Sequence, residues 1–258
     1  MDINLLVVDA GHSRLKLGVF EAGELIYTRR LGIDGADRQN WVGVIEDAWK
    51  RLGDNGGEVA GSASNIGIID DVAKAIREAT GKSTEWVGRD LDLPIDVKTD
   101  VPGKTGVDRV LNIAAAYEQL KKACCVVDVG TAVTVDFASD DGKFLGGVIA
   151  PGPRLMSASL HEVAPQLPVV EPGPIDGPFG TDTESALRGG IVGCVRGLVR
   201  QACESYAMTL DAWPEIIATG GDAHAVFEGD EVIHAVSPDL TLIGIALAYA
   251  NHHIEHRT

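Results

Sequence analysis

Two runs of this 258-residue chain end in the same way. Val7-Val8-Asp9-Ala10-Gly11-His12-Ser13 is echoed 119 residues further on by Val126-Val127-Asp128-Val129-Gly130-Thr131-Ala132. Each is an apolar strand closing on Asp-x-Gly with a hydroxyl close behind. Each then continues into a second β-rich run, Arg14 to Phe20 and Val133 to Phe137, so each reads as a hairpin whose tight turn carries the Asp and the Gly. A device repeated at the start of two nearly equal halves points to a duplicated fold. Its chemistry is that of a phosphate and metal turn. The Gly lets backbone N–H groups face a phosphate, the hydroxyl adds a donor, and the carboxylate holds a cation.

Beyond each hairpin the apolar period lengthens. Trp41, Val44, Ile45, Ala48, Trp49 and Leu52 recur at three and four spacing within 39–52, and Ile69, Val72, Ala73 and Ile76 do so within 69–80. Both predict amphipathic helices covering a sheet. A helix over 109–120 closes the first half and Cys124 opens the second. The expected domains are therefore 1–120 and 121–258. The longest predicted helix starts after Thr181 or Asp182 as N-cap and runs to about Tyr206. Gly189, Gly193 and Gly197 form a stripe along it. Since Gly costs about 1 kcal/mol relative to Ala inside a helix, the stripe predicts that another backbone packs there, from this chain or a second subunit.

Composition narrows the partners. The formal net charge is −16, so nucleic acid and anionic membranes are repelled by the mean field. The 45% hydrophobic and 23% charged fractions belong to a folded protein rather than a disordered one. The four cysteines, Cys124, Cys125, Cys194 and Cys203, form no disulfide framework, and a reduced cytoplasmic chain is expected. No run approaches the roughly 20 apolar residues needed to cross a bilayer. The opening run, up to Asp9, reads as a strand rather than a signal peptide. His252, His253 and His256 read as a polar tail rather than a metal site.

Several further motifs, in order along nearly the whole chain, make the sequence resemble the type III pantothenate kinases, members of the acetate and sugar kinase, Hsp70 and actin superfamily. The family pattern D-x-G-N-T-x-x-K resembles Asp9 to Lys16, and D-x-G-T-A-x-T is matched by Asp128 to Thr134. G-x-D-R appears as Gly106-Val107-Asp108-Arg109, and G-G-x-I-x-P-G as Gly146 to Gly152. G-x-x-T-x-x-A reads Gly180 to Ala186, and T-G-G reads Thr219-Gly220-Gly221.

The resemblance implies an α/β fold of duplicated ribonuclease-H-like, actin-like ATPase domains with the nucleotide in the cleft between them. It implies transfer of a phosphoryl group from ATP to pantothenate, the first step of coenzyme A biosynthesis, in a homodimer that binds neither nucleic acid nor membrane. Asp108 is implied as the base for the pantothenate hydroxyl, with Gly106, Val107, Arg109 and Thr183 on the substrate. Asp9, Ala10, Gly11, His12, Ser13, Arg14, Leu15 and Lys16 are implied to hold the ATP phosphates and their Mg²⁺. Thr131, Gly220 and Gly221 are implied to contact the same nucleotide, and Asp128 a monovalent cation, K⁺ or NH4⁺. Residue chemistry adds that Arg109 beside Asp108 favours the ionised acceptor.

Four positions depart from the family pattern. His12-Ser13 replaces Asn-Thr, Thr99 stands where an aromatic residue lines the substrate pocket, and Val163 replaces a Thr. These leave two alternatives: a nucleotide-binding regulatory protein on the same fold, or a kinase of another small hydroxy acid. A pure binding module has little use for Asp108, which acts at the acceptor.

Overall fold

In the computed structural model, which describes residues 3–255 with the side chains of Asp54, Asn55 and Glu255 excepted, the strand Leu5–Ala10 is buried at every position. Such a strand must be covered on both faces. His256 of the histidine tail lies outside the described residues. The chain runs β1 (Leu5–Ala10), β2 (Arg14–Glu21), β3 (Glu24–Gly32), α1 (Gly35–Gln39), α2 (Trp41–Trp49), β4 (Glu58–Ala63), α3 (Ile69–Thr80), β5 (Thr84–Trp86) and α4 (Val107–Leu120). It continues through β6 (Cys124–Val129), β7 (Ala132–Ala138), β8 (Phe144–Pro151), α5 (Pro153–Val163), α6 (Thr183–Leu210), β9 (Glu215–Thr219), α7 (Ala223–Phe227), β10 (Ala235–Val236) and α8 (Leu240–Glu255).

Two compact units result. The first takes the residues up to Asp96, Asp100–Ala115 and those from Asp239 onward; the second takes Val97–Thr99 and Ala116–Pro238. In the first, the strand order is β3-β2-β1-β4-β5, antiparallel from β3 to β1 and parallel from β1 to β5. Period-two alternation along β1 sends Leu6, Val8 and Ala10 to one face, against Trp41, Ile45 and Ala48 of α2 and Val72, Ala75 and Ile76 of α3. Leu5 and Val7 go to the other, against Leu111 of α4 and Leu242, Ile245 and Ala248 of α8. Asp9 shares their phase and so points to the side where α4 lies.

The second unit repeats the plan. Its order, β8-β7-β6-β9-β10, has the same antiparallel side and the same parallel side around the central strand. Cys125, Val127 and Val129 of β6 pack with Val195, Val199, Ala202 and Tyr206 of α6. Asp128 therefore stands on the opposite face, in the phase that Asp9 has in β1. Residues 97–99 extend this sheet beside β8, where Lys98 N–H bonds the Phe144 carbonyl at 2.8 Å.

The structure differs from expectation in two places. The predicted helix over 39–52 is α2 followed by a 3-10 turn, Lys50–Asn55. More consequential is the fate of the last helix, expected in the second half but belonging to the first unit. Leu242, Ile245 and Ala248 supply cover that β1 needs on its second face, and Thr241 donates to Asn112 of α4 at 2.8 Å in the interior. A Cβ at Gly244 would sit 2.4 Å from the Leu111 carbonyl oxygen, so only glycine lets α8 approach α4 this closely. Among the described residues no helix is long and apolar enough to cross a membrane.

Candidate active site

Cross-strand register assembles the first cluster. Asp9 lies opposite Lys16 on β2 and opposite Ser62 on β4, and side chains in register share a face. Its carboxylate is 4% exposed, accepts the Ser62 hydroxyl at 2.8 Å and lies 3.4 Å from Lys16 Nζ. Gly11 N–H closes the turn on the Arg14 carbonyl at 3.0 Å, leaving His12, Ser13 and Arg14 exposed. Ala10 and Leu15 are fully buried in the core, so only their backbone is available to a ligand.

Asp108 stands in the first turn of α4 and accepts the Arg109 backbone N–H at 3.0 Å. Contrary to the expectation from Arg109, its carboxyl is raised above the ordinary carboxylate value. Burial is the main cause and the Asp9 charge adds to it, while the Arg109 hydrogen bond and the charges of Arg109 and Lys16 pull back without cancelling them. Asp9, Lys16 and Asp108 are thus one electrostatic group within the first unit. Gly106, Val107 and Arg109 flank it, all half-buried.

The second unit builds a different turn from the same plan. Asp128 lies opposite Thr134 on β7 and Thr219 on β9. Gly130 N–H bonds the Ala132 carbonyl at 2.9 Å, and Thr131 at the turn is exposed. Gly220 has φ +98°, and a Cβ there would lie 2.4 Å from Val129 O and 2.5 Å from Asp128 Oδ1. Val129 N is 2.6 Å from the same point, so glycine lets this turn pack directly against the Asp128 carboxylate and the β6 backbone. Gly221 follows, exposed in the turn before α7. Among the described residues no group of three or more His, Cys, Asp or Glu could hold a metal. A divalent ion here would therefore share its coordination between one carboxylate, water and substrate phosphates, which is how Mg²⁺ is usually held; Asp9 fits that use.

Thr183 is the first residue of α6 and is exposed. Asp182 is the cap, accepting Ser185 N–H at 3.0 Å while Ser185 Oγ accepts Asp182 N–H at 3.3 Å, a reciprocal capping box. Thr99 lies beside Gly146, 3.9 Å from where a Cβ would stand, and Val163 is 87% exposed at the end of α5. The glycine stripe divides: Gly189 lies under Ile175, whereas Gly193 and Gly197 face open space.

Sequence reasoning missed Ser62, Arg154 and Asp222. Arg154, in the first turn of α5, grips Asp222 through Nε at 3.0 and 3.1 Å and Nη2 at 3.0 Å, and also pairs with Glu171. Asp222 directly follows Gly220-Gly221, and its N–H bonds the Val129 carbonyl at 3.1 Å, so this bidentate pair fixes the glycine turn beside Asp128. Its position immediately after the glycine pair was the available signal. Of the histidines, His253 Nε2 lies 3.1 Å from Glu85, and His252 Nδ1 lies 3.4 Å from Asp92 without a hydrogen bond.

The duplicated sheets and their paired aspartates define an actin-like α/β fold, and comparison with known proteins agrees. A solved structure described as a conserved putative Baf family transcriptional activator from Campylobacter jejuni superposes with TM-score 0.62 at 20% identity, covering 95% of this chain and 98% of that one. Component A of (R)-2-hydroxyglutaryl-CoA dehydratase from Acidaminococcus fermentans superposes with TM-score 0.54 at 13% identity, covering 99% and 100%. These establish the fold. Family and sequence are more specific: the family model for type III pantothenate kinase matches residues 5–205. Type III pantothenate kinases of Gluconobacter oxydans and Desulfatibacillum aliphaticivorans are 33% and 30% identical, covering 94% and 95% of this chain and 92% and 97% of their own. The chain belongs to the type III pantothenate kinase family.

Proposed function

We propose that this chain catalyses the ATP-dependent phosphorylation of pantothenate to 4′-phosphopantothenate, the first step of coenzyme A biosynthesis. The observation that carries the reading is Asp108, a carboxylate whose basicity is raised by burial and by Asp9. A pure nucleotide-binding module gains nothing from a base tuned in this way.

The roles follow from local chemistry. Asp108 accepts the proton of the pantothenate primary hydroxyl as that oxygen attacks the γ-phosphorus; ADP leaves. Arg109, with Gly106 and Val107, orients the acceptor, and Thr183 is assigned to pantothenate. The Asp9 to Lys16 turn takes the ATP phosphates through its backbone N–H groups, Ser13 and Lys16. Thr131, Gly220 and Gly221 are assigned to the nucleotide. Asp9 would be the protein ligand of Mg²⁺ carried by the phosphates, and the ion would supply neutralisation of their charge. Positioning and charge stabilisation dominate phosphoryl transfer, so the base need only be placed and ionised.

Asp128 is assigned to a monovalent cation, K⁺ or NH4⁺, on the match of its turn to the family's second Asp-x-Gly motif. A homodimer is proposed through the exposed face of α6, where Gly190, Gly193 and Gly197 meet nothing within 4 Å. Gly193→Glu then yields monomers in sedimentation. The four cysteines are free, which suits a cytoplasmic address.

The reading is tested by ADP release from ATP and Mg²⁺, with and without pantothenate, in sodium and in potassium buffer. Turnover requiring pantothenate and potassium is expected. ATP binding without pantothenate-dependent turnover overturns it in favour of a regulatory protein, and turnover with another hydroxy acid alone points to an altered acceptor pocket around Thr99.

A further inference from the structure

A cavity of about 320 Å³ in the first unit takes no part in this reaction. It lies between α3 and β5, and three cations line it: Lys74 and Arg77 of α3 and Arg89, which follows β5. In a chain of formal charge −16 such convergence is an exception that the mean composition does not predict. Arg89 pairs with Asp90 at 3.1 Å, and Asp90 also accepts the Trp86 N–H at 2.9 Å. Among the described residues, Lys74 and Arg77 have no carboxylate partner. Arg77 Nη2 instead donates to Ser83 Oγ at 3.0 Å, which fixes the guanidinium at the rim.

A second, independent feature is Thr84 on the cavity wall. Its Oγ1 is buried with no hydrogen-bond partner. Buried hydroxyls are nearly always satisfied; this one is closed off by the wall as it stands, so a ligand atom completes it only by parting the side chains at the rim. Glu85, the acid between Thr84 and Trp86, pairs instead with His253 of α8, and alternation along β5 puts it on the other face. Trp86, 3% exposed, supplies an apolar wall. It belongs to the core on the α2 and α3 side of the sheet, whereas Asp9 has the phase of the opposite side. The sheet itself therefore separates this cavity from the Asp9 turn.

We propose that the cavity binds the phosphoryl group of a small phosphorylated metabolite, with Lys74 and Arg77 as the charge clamp, Thr84 and Ser83 as hydroxyl contacts, and the organic remainder against Trp86. A phosphoryl dianion offers three terminal oxygens to a guanidinium fork, an ammonium and hydroxyls converging from different directions. A planar, singly charged carboxylate leaves part of that set unmet. The volume exceeds that of the bare ion and lies at the small end of metabolite pockets, roughly 300 to 1,000 Å³.

The test is equilibrium dialysis of the full chain with radiolabelled inorganic phosphate at constant ionic strength, with glycerol phosphate as competitor. Lys16→Gln serves as the control that weakens phosphate binding at the Asp9 turn. One phosphate site is expected to survive in Lys16→Gln, to weaken at least tenfold in Lys74→Gln/Arg77→Gln and severalfold in Thr84→Val, and to be emptied by glycerol phosphate. Basal ADP release is expected to stay unchanged in the Lys74, Arg77 and Thr84 variants. If the double variant does not fold, Thr84→Val carries the test. Phosphate binding indifferent to these substitutions, or displaced equally well by acetate, overturns the site. Binding of inorganic phosphate that glycerol phosphate cannot displace overturns the metabolite assignment.

Discussion

The Asp9 and Asp128 turns share a backbone plan and differ in charge. Both aspartates are the fifth residue of a central strand, both face away from the strand's Leu6/Val8 or Cys125/Val127 side, and both precede a glycine that closes the turn. Across the sheet, Asp9 meets Lys16 and Ser62, while Asp128 meets Thr134 and Thr219. The first carboxylate is neutralised by its own lysine. In the second, Thr134 stands where the first has Lys16. Duplication has thus preserved geometry while this cross-strand neighbour has changed, and the phosphate and cation roles proposed above turn on that difference.

The largest effect is expected at the group that only the first unit possesses. Asp108→Asn removes the base and lowers kcat by about 10²- to 10⁴-fold, with the KM for ATP little changed. Steady-state kinetics check this, and an unchanged kcat removes catalysis from the first unit altogether. The acid limb of the wild-type pH profile should lie above the ordinary carboxylate value, because burial and Asp9 raise Asp108. Activity is lost as pH falls through that raised value.

Exchanging the two charges breaks or sharpens the comparison directly. Asp128→Asn should lower the rate at fixed potassium by at least about tenfold and flatten its dependence on potassium against sodium. Asp9→Asn should impair ATP use and leave the potassium ratio intact. If instead Asp9→Asn abolishes the potassium dependence, the two assignments are reversed. Lys16→Thr together with Thr134→Lys poses the same question by moving the neutralising charge from one turn to the other.

Much of this was legible in the sequence because the informative features are local. Strand alternation, the Asp-x-Gly turns and the amphipathic period of α3 are each set within a dozen residues, and they fixed the duplicated sheets and the phase of both aspartates. What was not legible depends on long-range packing. The pattern of α8 shows an apolar helix but not which sheet it covers. Ser62 sits in an unremarkable strand, and only register against β1 turns it into a partner of Asp9. Arg154 and Asp222 are 68 residues apart. Lys74, Arg77 and Arg89 meet only because α3 lies along β5. The direction of the Asp108 shift was not legible for a related reason: the sequence displays the adjacent Arg109, whereas burial and Asp9 come from the fold.

A smaller effect belongs to the glycine turn that separates the halves chemically. Gly220→Ala forces a Cβ to 2.4 Å from Val129 O in a backbone at φ +98°, a strain of about 1 to 3 kcal/mol. Thermal unfolding should shift downward, and potassium affinity should fall more than ATP affinity, since the intruding atom collides with the Asp128 carboxylate.

The smallest predicted effects contrast two helix-opening aspartates, and their signs are opposite. Asp182 caps α6 and is lowered chiefly by the Ser185 backbone hydrogen bond, then by the Ser185 hydroxyl; Asp108 opens α4 and is raised. A lowered carboxyl gives stability that is present above its unfolded pKa and lost as pH falls through the folded one. Asp182→Ala should therefore melt a few degrees lower at pH 7, with the difference shrinking in acid. A raised carboxyl works the other way, since the folded state binds the proton more tightly and ionisation costs stability above the folded pKa. Asp108→Asn should melt higher than wild type at pH 7, with that gain fading below the unfolded carboxylate pKa. Melting curves of both variants from pH 7 to pH 3 check the pair. Curves that shift in the same direction at pH 7 show that Asp108, like Asp182, is held for the helix and not for the reaction.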